Sequence, residues 1–229
     1  MQPTDWSHIK AIIFDMDGTL VDTEGIWKRA EQALLAGYDR QYDPVVHAPF
    51  LGLATDELIA RIRQVYRLEH VDQKTLEDDL HNRLQRQLRS ETIAREGAVA
   101  LVASVLDNEI PCAIASNSSM EIIAATLENQ PWTHRIPIWC SADHVPQGKP
   151  APDLYLFAAQ RLGVDAGNCL AIEDSLNGVI ASTAAGMISL AVPEIEHSVI
   201  STLESMTPYT FHGLNQVREF LVENKILRG

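Results

Sequence analysis

The residues best equipped for chemistry stand where a short apolar run stops: Ile12-Ile13-Phe14 is followed at once by Asp15, Met16 and Asp17. The run is uncharged and rich in strand formers, which predicts a buried strand over about residues 9–14. Acids that close such a strand sit where open α/β sheets bind ligands, in the crevice beyond the strands' carboxyl ends. Asp15 and Asp17 are two apart, so in extended chain their side chains point to the same side. One can attack a substrate while the other handles a proton. Two carboxylates this close repel unless a proton or a cation lies between them, which points to a metal ion. The same letters also suit a Ca²⁺ loop or a turn with solvated acids. An EF-hand loop needs Glu at its twelfth position, which here is Ile26. A phosphate-transfer site and a plain turn remain the two readings of this segment.

Three further groups carry chemistry-bearing side chains. Ser116-Asn117-Ser118 follows an apolar run, and its hydroxyls, amide and backbone N–H groups at a helix start would cradle an anion. Ser118-Ser119-Met120-Glu121 equally fits a helix N-cap box, and both can hold because a cap needs only one hydroxyl. Lys149 lies in Gly148-Lys149-Pro150-Ala151-Pro152-Asp153, where prolines stiffen the loop and fix where an ammonium points; the alternative is a solvated charge. Glu173-Asp174 closes the apolar stretch Cys169 to Ile172 and repeats the logic of Asp15 and Asp17, with a solvated N-cap as the alternative for Asp174. Carboxylates from two strands, a phosphate oxygen and waters would complete the octahedral oxygen shell of Mg²⁺.

The elements that position these groups follow from periodicity. Trp27, Ala30, Leu34 and Leu35, then Leu58, Ile59, Ile62, Val65 and Tyr66, then Leu76, Leu80, Leu84 and Leu88 recur at helical spacing. Gly37, Asp43-Pro44 and Ala48-Pro49 separate them as breakers. Residues ~25–92 therefore read as all-helical. From Gly97 the rhythm becomes strand, loop, helix. Helices are expected over 98–107, from Ser119 to about Asn129, over 152–162 and from Ser175 to Gly186. Strands are expected over 110–115, 137–140, 169–172 and 187–192. Such alternation implies a parallel sheet covered by helices on both faces. In a parallel sheet the loops after Phe14, Ala115 and Ile172 share one edge, so the acids, hydroxyls and lysine converge if their strands are neighbours. The helical insert begins just beyond Asp17, well placed to act as a lid.

Bulk properties narrow the field. A chain of 229 residues can bury roughly 70% of its unfolded surface without staples. Net charge −13 argues against nucleic acid or an anionic membrane as partner. An anionic substrate then depends on local positive charge: a metal, a lysine, helix N-termini. Cys112, Cys140 and Cys169 show no C-x-x-C spacing and read as buried thiols of a reducing compartment. Met1 to His8 carries no basic patch leading into an apolar stretch, so no secretory signal is expected. The apolar run Ala98 to Ala103 falls far short of the ~18 residues of a membrane span.

Taken in order, Asp15-x-Asp17-x-Thr19, Ser116, Lys149 and Glu173-Asp174 resemble the haloacid dehalogenase superfamily of phosphohydrolases. The closest likeness is to the subgroup with a helical cap after the first motif, which contains sugar-phosphate phosphatases and β-phosphoglucomutase. The resemblance covers nearly the whole chain. It is carried by Phe14-Asp15-Met16-Asp17-Gly18-Thr19-Leu20-Val21-Asp22-Thr23-Glu24, by Gly148-Lys149-Pro150-Ala151-Pro152, and by Ile172-Glu173-Asp174-Ser175-x-Asn177-Gly178. It implies an α/β fold, a Rossmann-like parallel sheet core (residues 1–22 and 93–229) with an inserted all-helical cap (23–92). It further implies Asp15 as nucleophile and Asp17 as acid and base. Thr19, Ser116, Asn117 and Lys149 would surround the phosphate, Thr19 and Asn117 by steadying its loops. The metal, Mg²⁺, would be held by Asp15, the Asp17 carbonyl and Asp174, with Glu173 helping directly or through water. The mutase branch carries a histidine where this chain has Trp27 and a cap arginine near Thr55. Both departures favour hydrolysis by water, with Trp27 either packing in the cap or stacking on a sugar, and Thr55 on the cap side of the substrate. The expected protein is a Mg²⁺-dependent phosphatase of a sugar or sugar-alcohol phosphate, working through an aspartyl-phosphate. Alternatives are β-phosphoglucomutase-like transfer, a phosphoglycolate-type phosphatase, and a non-catalytic binding module. The only partner expected is a small phosphorylated metabolite, with neither nucleic acid nor membrane, for a cytoplasmic monomer.

Overall fold

The computed structural model describes residues 5–47, 50, 53–193 and 200–228; the breaker Ala48-Pro49 lies outside them. The strands are β1 (Ala11–Phe14), β2 (Val21–Asp22), β3 (Ile93–Ala94), β4 (Cys112–Ser116), β5 (Trp139–Ser141), β6 (Cys169–Glu173) and β7 (Ile188–Ala191). The helices are α1 (Glu24–Ala36), α2 (Pro44–His47), α3 (Thr55–Val65), α4 (Gln73–Glu91), α5 (Ala98–Asp107), α6 (Met120–Leu127), α7 (Asp153–Leu162), α8 (Leu176–Ala184), α9 (Ile200–Met206) and α10 (Leu214–Glu223).

Five strands form one sheet in the order β5-β4-β1-β6-β7, every pairing parallel. The strand that carries Asp15 is thus central, flanked by those that lead to Ser116 and Asp174. Alternation along the strands sorts side chains to two faces. Ile12, Phe14, Ile114, Leu170 and Ile172 meet Leu101 and Val105 of α5 and Val217 and Leu221 of α10. The other face carries Ile13 among the smaller Ala11, Ala115 and Ala171, and packs against Leu154, Tyr155 and Ala158 of α7.

Between β2 and β3 the described residues are helical or irregular. The two short strands pair antiparallel, Val21 opposite Ala94 and Asp22 opposite Ile93, so the chain leaves and re-enters the sheet region at one place. Leu76, Leu80, Leu84 and Leu88 of α4 are buried with Ile26, Ala30 and Leu34 of α1 and Ile59 and Ile62 of α3. The same cluster takes in Ile122 and Ala125 of α6. His81–Glu121 at 2.7 Å and Arg89–Glu128 at 2.5 Å flank that contact. Within the insert, His47 lies 2.9 Å from Glu31 and is ringed by Tyr42, Phe50 and Tyr66.

Element edges shift for local reasons. Ile110 belongs to the turn that ends α5, because Glu109 adopts φ 56° and the Ile110 N–H bonds to the Val105 carbonyl. Gly186, at φ 85°, turns the chain two residues beyond α8. Helices α9 and α10 are not anticipated from the sequence, although Leu214, Val217 and Leu221 do form a helical stripe. The segment before α10 covers the outer side of β7: Ala191 accepts from Phe211 N–H and donates to the Tyr209 carbonyl, both at 2.8 Å. Trp6 closes that corner edge-on to Tyr209 and Phe220. No described helix is long and apolar enough to cross a membrane.

Candidate active site

The carboxyl ends of β1, β4 and β6 bring Asp15, Ser116 and Glu173-Asp174 together, and the loop before α7 adds Lys149. The Lys149 ammonium is buried and donates to Asp15 Oδ1 at 2.5 Å, Glu173 Oε1 at 2.6 Å and the Ala115 carbonyl at 2.9 Å. Burial works against its charge, but the carboxylates of Asp15 and Glu173 outweigh that and raise its pKa above the ordinary value. Burial and the Glu173 charge push the Asp15 carboxyl well above the usual range, against the pull of Lys149. The same two causes raise Asp174 to about 7, while the Thr19 hydrogen bond, Arg95 and Lys149 pull it back. Three acids this crowded are held at an electrostatic cost that a bound cation would relieve.

The donor set fits Mg²⁺. Asp15, Glu173 and Asp174 each offer an oxygen, all within 4.8 Å of one another. Asp15 Oδ2 is buried and has no hydrogen-bond partner among the described residues. A buried acceptor left this way is costly unless something positive completes it. All-oxygen donors suit a hard divalent cation.

Glycine makes the crowding possible. Gly18 adopts φ +78°, and a Cβ on it would lie 2.2 Å from Asp174 Oδ2. A Cβ on Gly178 would lie 1.8 Å from Glu173 Oε1. Glu173 itself is fully buried and well supplied with donors: Lys149 and Tyr155 on Oε1, Ser175 N–H and hydroxyl on Oε2.

Asp17 is held by three hydroxyls. Its Oδ1 accepts from the Thr23 hydroxyl at 2.7 Å, and its Oδ2 accepts from Ser116 at 3.1 Å and Ser118 at 3.0 Å. Thr19 donates to Asp174 Oδ1 at 3.0 Å. Asn117 brackets the lysine backbone, donating to the Lys149 carbonyl at 2.9 Å and accepting from its N–H at 2.8 Å. Two N-cap alternatives are corrected. Ser119, not Ser118, caps α6, which frees Ser118 for Asp17. Ser175, not Asp174, caps α8, which leaves the Asp174 carboxylate for the acid cluster.

Trp27 and Thr55 belong to the helical insert. Trp27 is half-buried and packs against the apolar cluster of the helical insert, and Thr55 is the half-buried first residue of α3. The sequence reading missed Tyr155, Ser175, Thr23 as a partner of Asp17, and Arg95, whose guanidinium donates to the Gly18 carbonyl. Thr23 and Ser175 stand within the motifs that carry the resemblance, but nothing local in them names their partners, and Tyr155 lies three residues past Pro152, just beyond the lysine motif.

Comparison with known proteins agrees. The haloacid dehalogenase-like hydrolase family model matches residues 9–186. A bifunctional riboflavin kinase/FMN phosphatase of Arabidopsis thaliana is 32% identical over 186 residues, 80% of this chain but 48% of that longer protein. Hexitol phosphatase B of Escherichia coli K12 is 33% identical over 196 residues, covering 82% of this chain and 86% of that one. The crystal structure of a HAD-family hydrolase from Deinococcus radiodurans, with bound phosphate and sodium, superposes with TM-score 0.75 at 29% identity, covering 97% and 99% of the two chains. On these grounds the chain belongs to the haloacid dehalogenase-like hydrolases.

Proposed function

We propose that the protein is a Mg²⁺-dependent phosphoric monoester hydrolase that cleaves a sugar or sugar-alcohol phosphate through a phosphorylated Asp15. The observation that carries this reading is the buried Asp15–Lys149 pair beside Asp174, with Asp15 Oδ2 lacking a hydrogen-bond partner among the described residues. Asp15 would attack phosphorus, the bond to the alcohol oxygen would break, and Asp17 would pass its proton to that oxygen. Water, deprotonated by Asp17, would then attack the phosphoaspartate and release phosphate and free Asp15. Lys149 and Ser116 would hold the phosphoryl oxygens, while Thr19 and Asn117 keep the two loops in place. Asp15, the Asp17 carbonyl and Asp174 would hold the metal, with Glu173 contributing directly or through water. Bound there, Mg²⁺ supplies the positive charge that lets an anionic carboxylate approach a phosphate dianion. We assign residues 23–92 as the cap that covers the site, with Trp27 and Thr55 on the substrate side. A tryptophan and a threonine, in place of the mutase branch's histidine and arginine, support transfer to water.

The substrate class is supported by the likeness to hexitol phosphatase B. The test is phosphate release from an aryl phosphate, then from hexitol phosphates, hexose phosphates, phosphoglycolate and nucleoside monophosphates, with Mg²⁺ and with EDTA. Turnover should require Mg²⁺ and be highest on a hexitol or hexose phosphate. Asp15→Asn should lower it by at least about a thousandfold. Metal-independent turnover, or an active Asp15→Asn variant, overturns the mechanism.

A further inference from the structure

Tyr155 touches the lysine–carboxylate pair twice and belongs to no role assigned so far. It is the third residue of α7, its side chain is fully buried, and its hydroxyl donates to Glu173 Oε1 at 2.6 Å. That oxygen is the one that accepts the Lys149 ammonium, also at 2.6 Å. The same ammonium stands 4.9 Å from the centroid of the Tyr155 ring. We infer that Tyr155 is a positioning residue for Lys149, acting through Glu173 to set how strongly that carboxylate draws the ammonium away from the phosphoryl site. The inference rests on the proposed role of Lys149 as a phosphoryl ligand.

The argument is one of competition. An ammonium has three N–H donors. Here they go to Asp15, Glu173 and the Ala115 carbonyl. A phosphoryl oxygen can be served only by redirecting one of them, so affinity for phosphate depends on how firmly each acceptor holds. Glu173 cannot relax by moving. Ser175 fixes Oε2 through its N–H at 3.3 Å and its hydroxyl at 3.1 Å, and the carboxylate occupies the space that a Cβ on Gly178 would fill. What remains adjustable is the sharing of Oε1. With the Tyr155 hydroxyl on it, part of that oxygen's charge is already satisfied and the lysine is held less tightly. Without the hydroxyl, Oε1 is left to Lys149 alone, and the ammonium is drawn toward the floor of the site. Were Tyr155 only a core filler, Phe would serve as well, since the ring supplies the packing and the face beneath the ammonium.

The experiment measures inorganic phosphate as a competitive inhibitor of aryl-phosphate hydrolysis by the Mg²⁺-loaded enzyme, and phosphate binding by calorimetry. Melting temperature is followed in parallel. Tyr155→Phe should raise the inhibition constant and the dissociation constant of phosphate about tenfold, the scale of one hydrogen bond to a charged group. In a Glu173→Gln background the same change should alter phosphate affinity less than twofold, because the path through the carboxylate is gone. Leu154→Ala, which cuts a neighbouring buried side chain on α7, should lower the melting temperature and leave phosphate affinity unchanged. Wild-type affinity in Tyr155→Phe, multiplying effects in the double variant, or an equal loss in Leu154→Ala would each overturn the inference while leaving the phosphatase reading intact. A wild-type enzyme with no Mg²⁺-dependent hydrolysis and no phosphate binding would overturn both.

Discussion

At Gly178, on α8, alanine would ordinarily be the better helix former by about 0.5–1 kcal/mol. A Cβ there would fall 1.8 Å from Glu173 Oε1, inside the carboxylate that holds Lys149. Forcing extra atoms into a packed site costs about 1–3 kcal/mol, so the clash should win over helix propensity. Gly178→Ala is therefore expected to lower the melting temperature and to lose phosphatase activity, both measured on the purified variant. A stabilised, active variant would show that Glu173 is free to move. Gly18 obeys the same logic with the added strain of a left-handed backbone. The acids of this site can crowd because side chains are absent opposite them, a feature as needed as the acids themselves.

At the scale of elements, α4 is the longest described helix and has the most regular pattern: four leucines, four residues apart, all buried. It joins the insert's own helices to α6. The Ser116–Ser118 loop leads directly into α6, so α4 props one wall of the site. Leu84→Ala removes a fully buried side chain and should cost about 2–5 kcal/mol. For a protein of this size that lowers the melting temperature by at least about 4 °C, read in a thermal melt. Because the damage reaches α6, KM for the substrate should rise as well; an unchanged KM would show that the α4–α6 contact is mechanically separate from the anion loop.

Over the whole molecule, burial decides thiol chemistry. Cys112, Cys140 and Cys169 are free and buried, and burial pushes each thiol up to about 11 from an ordinary 9.0. At pH 8 about one thiol in a thousand is then thiolate, the form that reacts. The native protein should resist iodoacetamide at pH 8, whereas protein in guanidinium should take up label at all three positions, counted by mass spectrometry. A raised thiol pKa in the folded state contributes stability that is fully present below pH 9 and is lost as pH climbs toward 11. Melting temperature should accordingly fall across that window.

That Asp15, Ser116, Lys149, Glu173 and Asp174 are brought together was legible from the chain alone, because strand-closing carboxylates, a proline-framed lysine and a serine loop before a helix are local patterns. So was the alternation that makes a parallel sheet, since hydrophobic period depends only on near neighbours in sequence. Strands β2 and β3 were not legible, being two residues each, and their pairing joins positions 21–22 to 93–94. Nor were the partners of the acids: Thr23 and Ser118 on Asp17, Tyr155 and Ser175 on Glu173, Thr19 on Asp174. The tertiary structure decided those. Hydrogen bonds between side chains act over about 3 Å, and only the order of strands in the sheet determines which distant residues come that close.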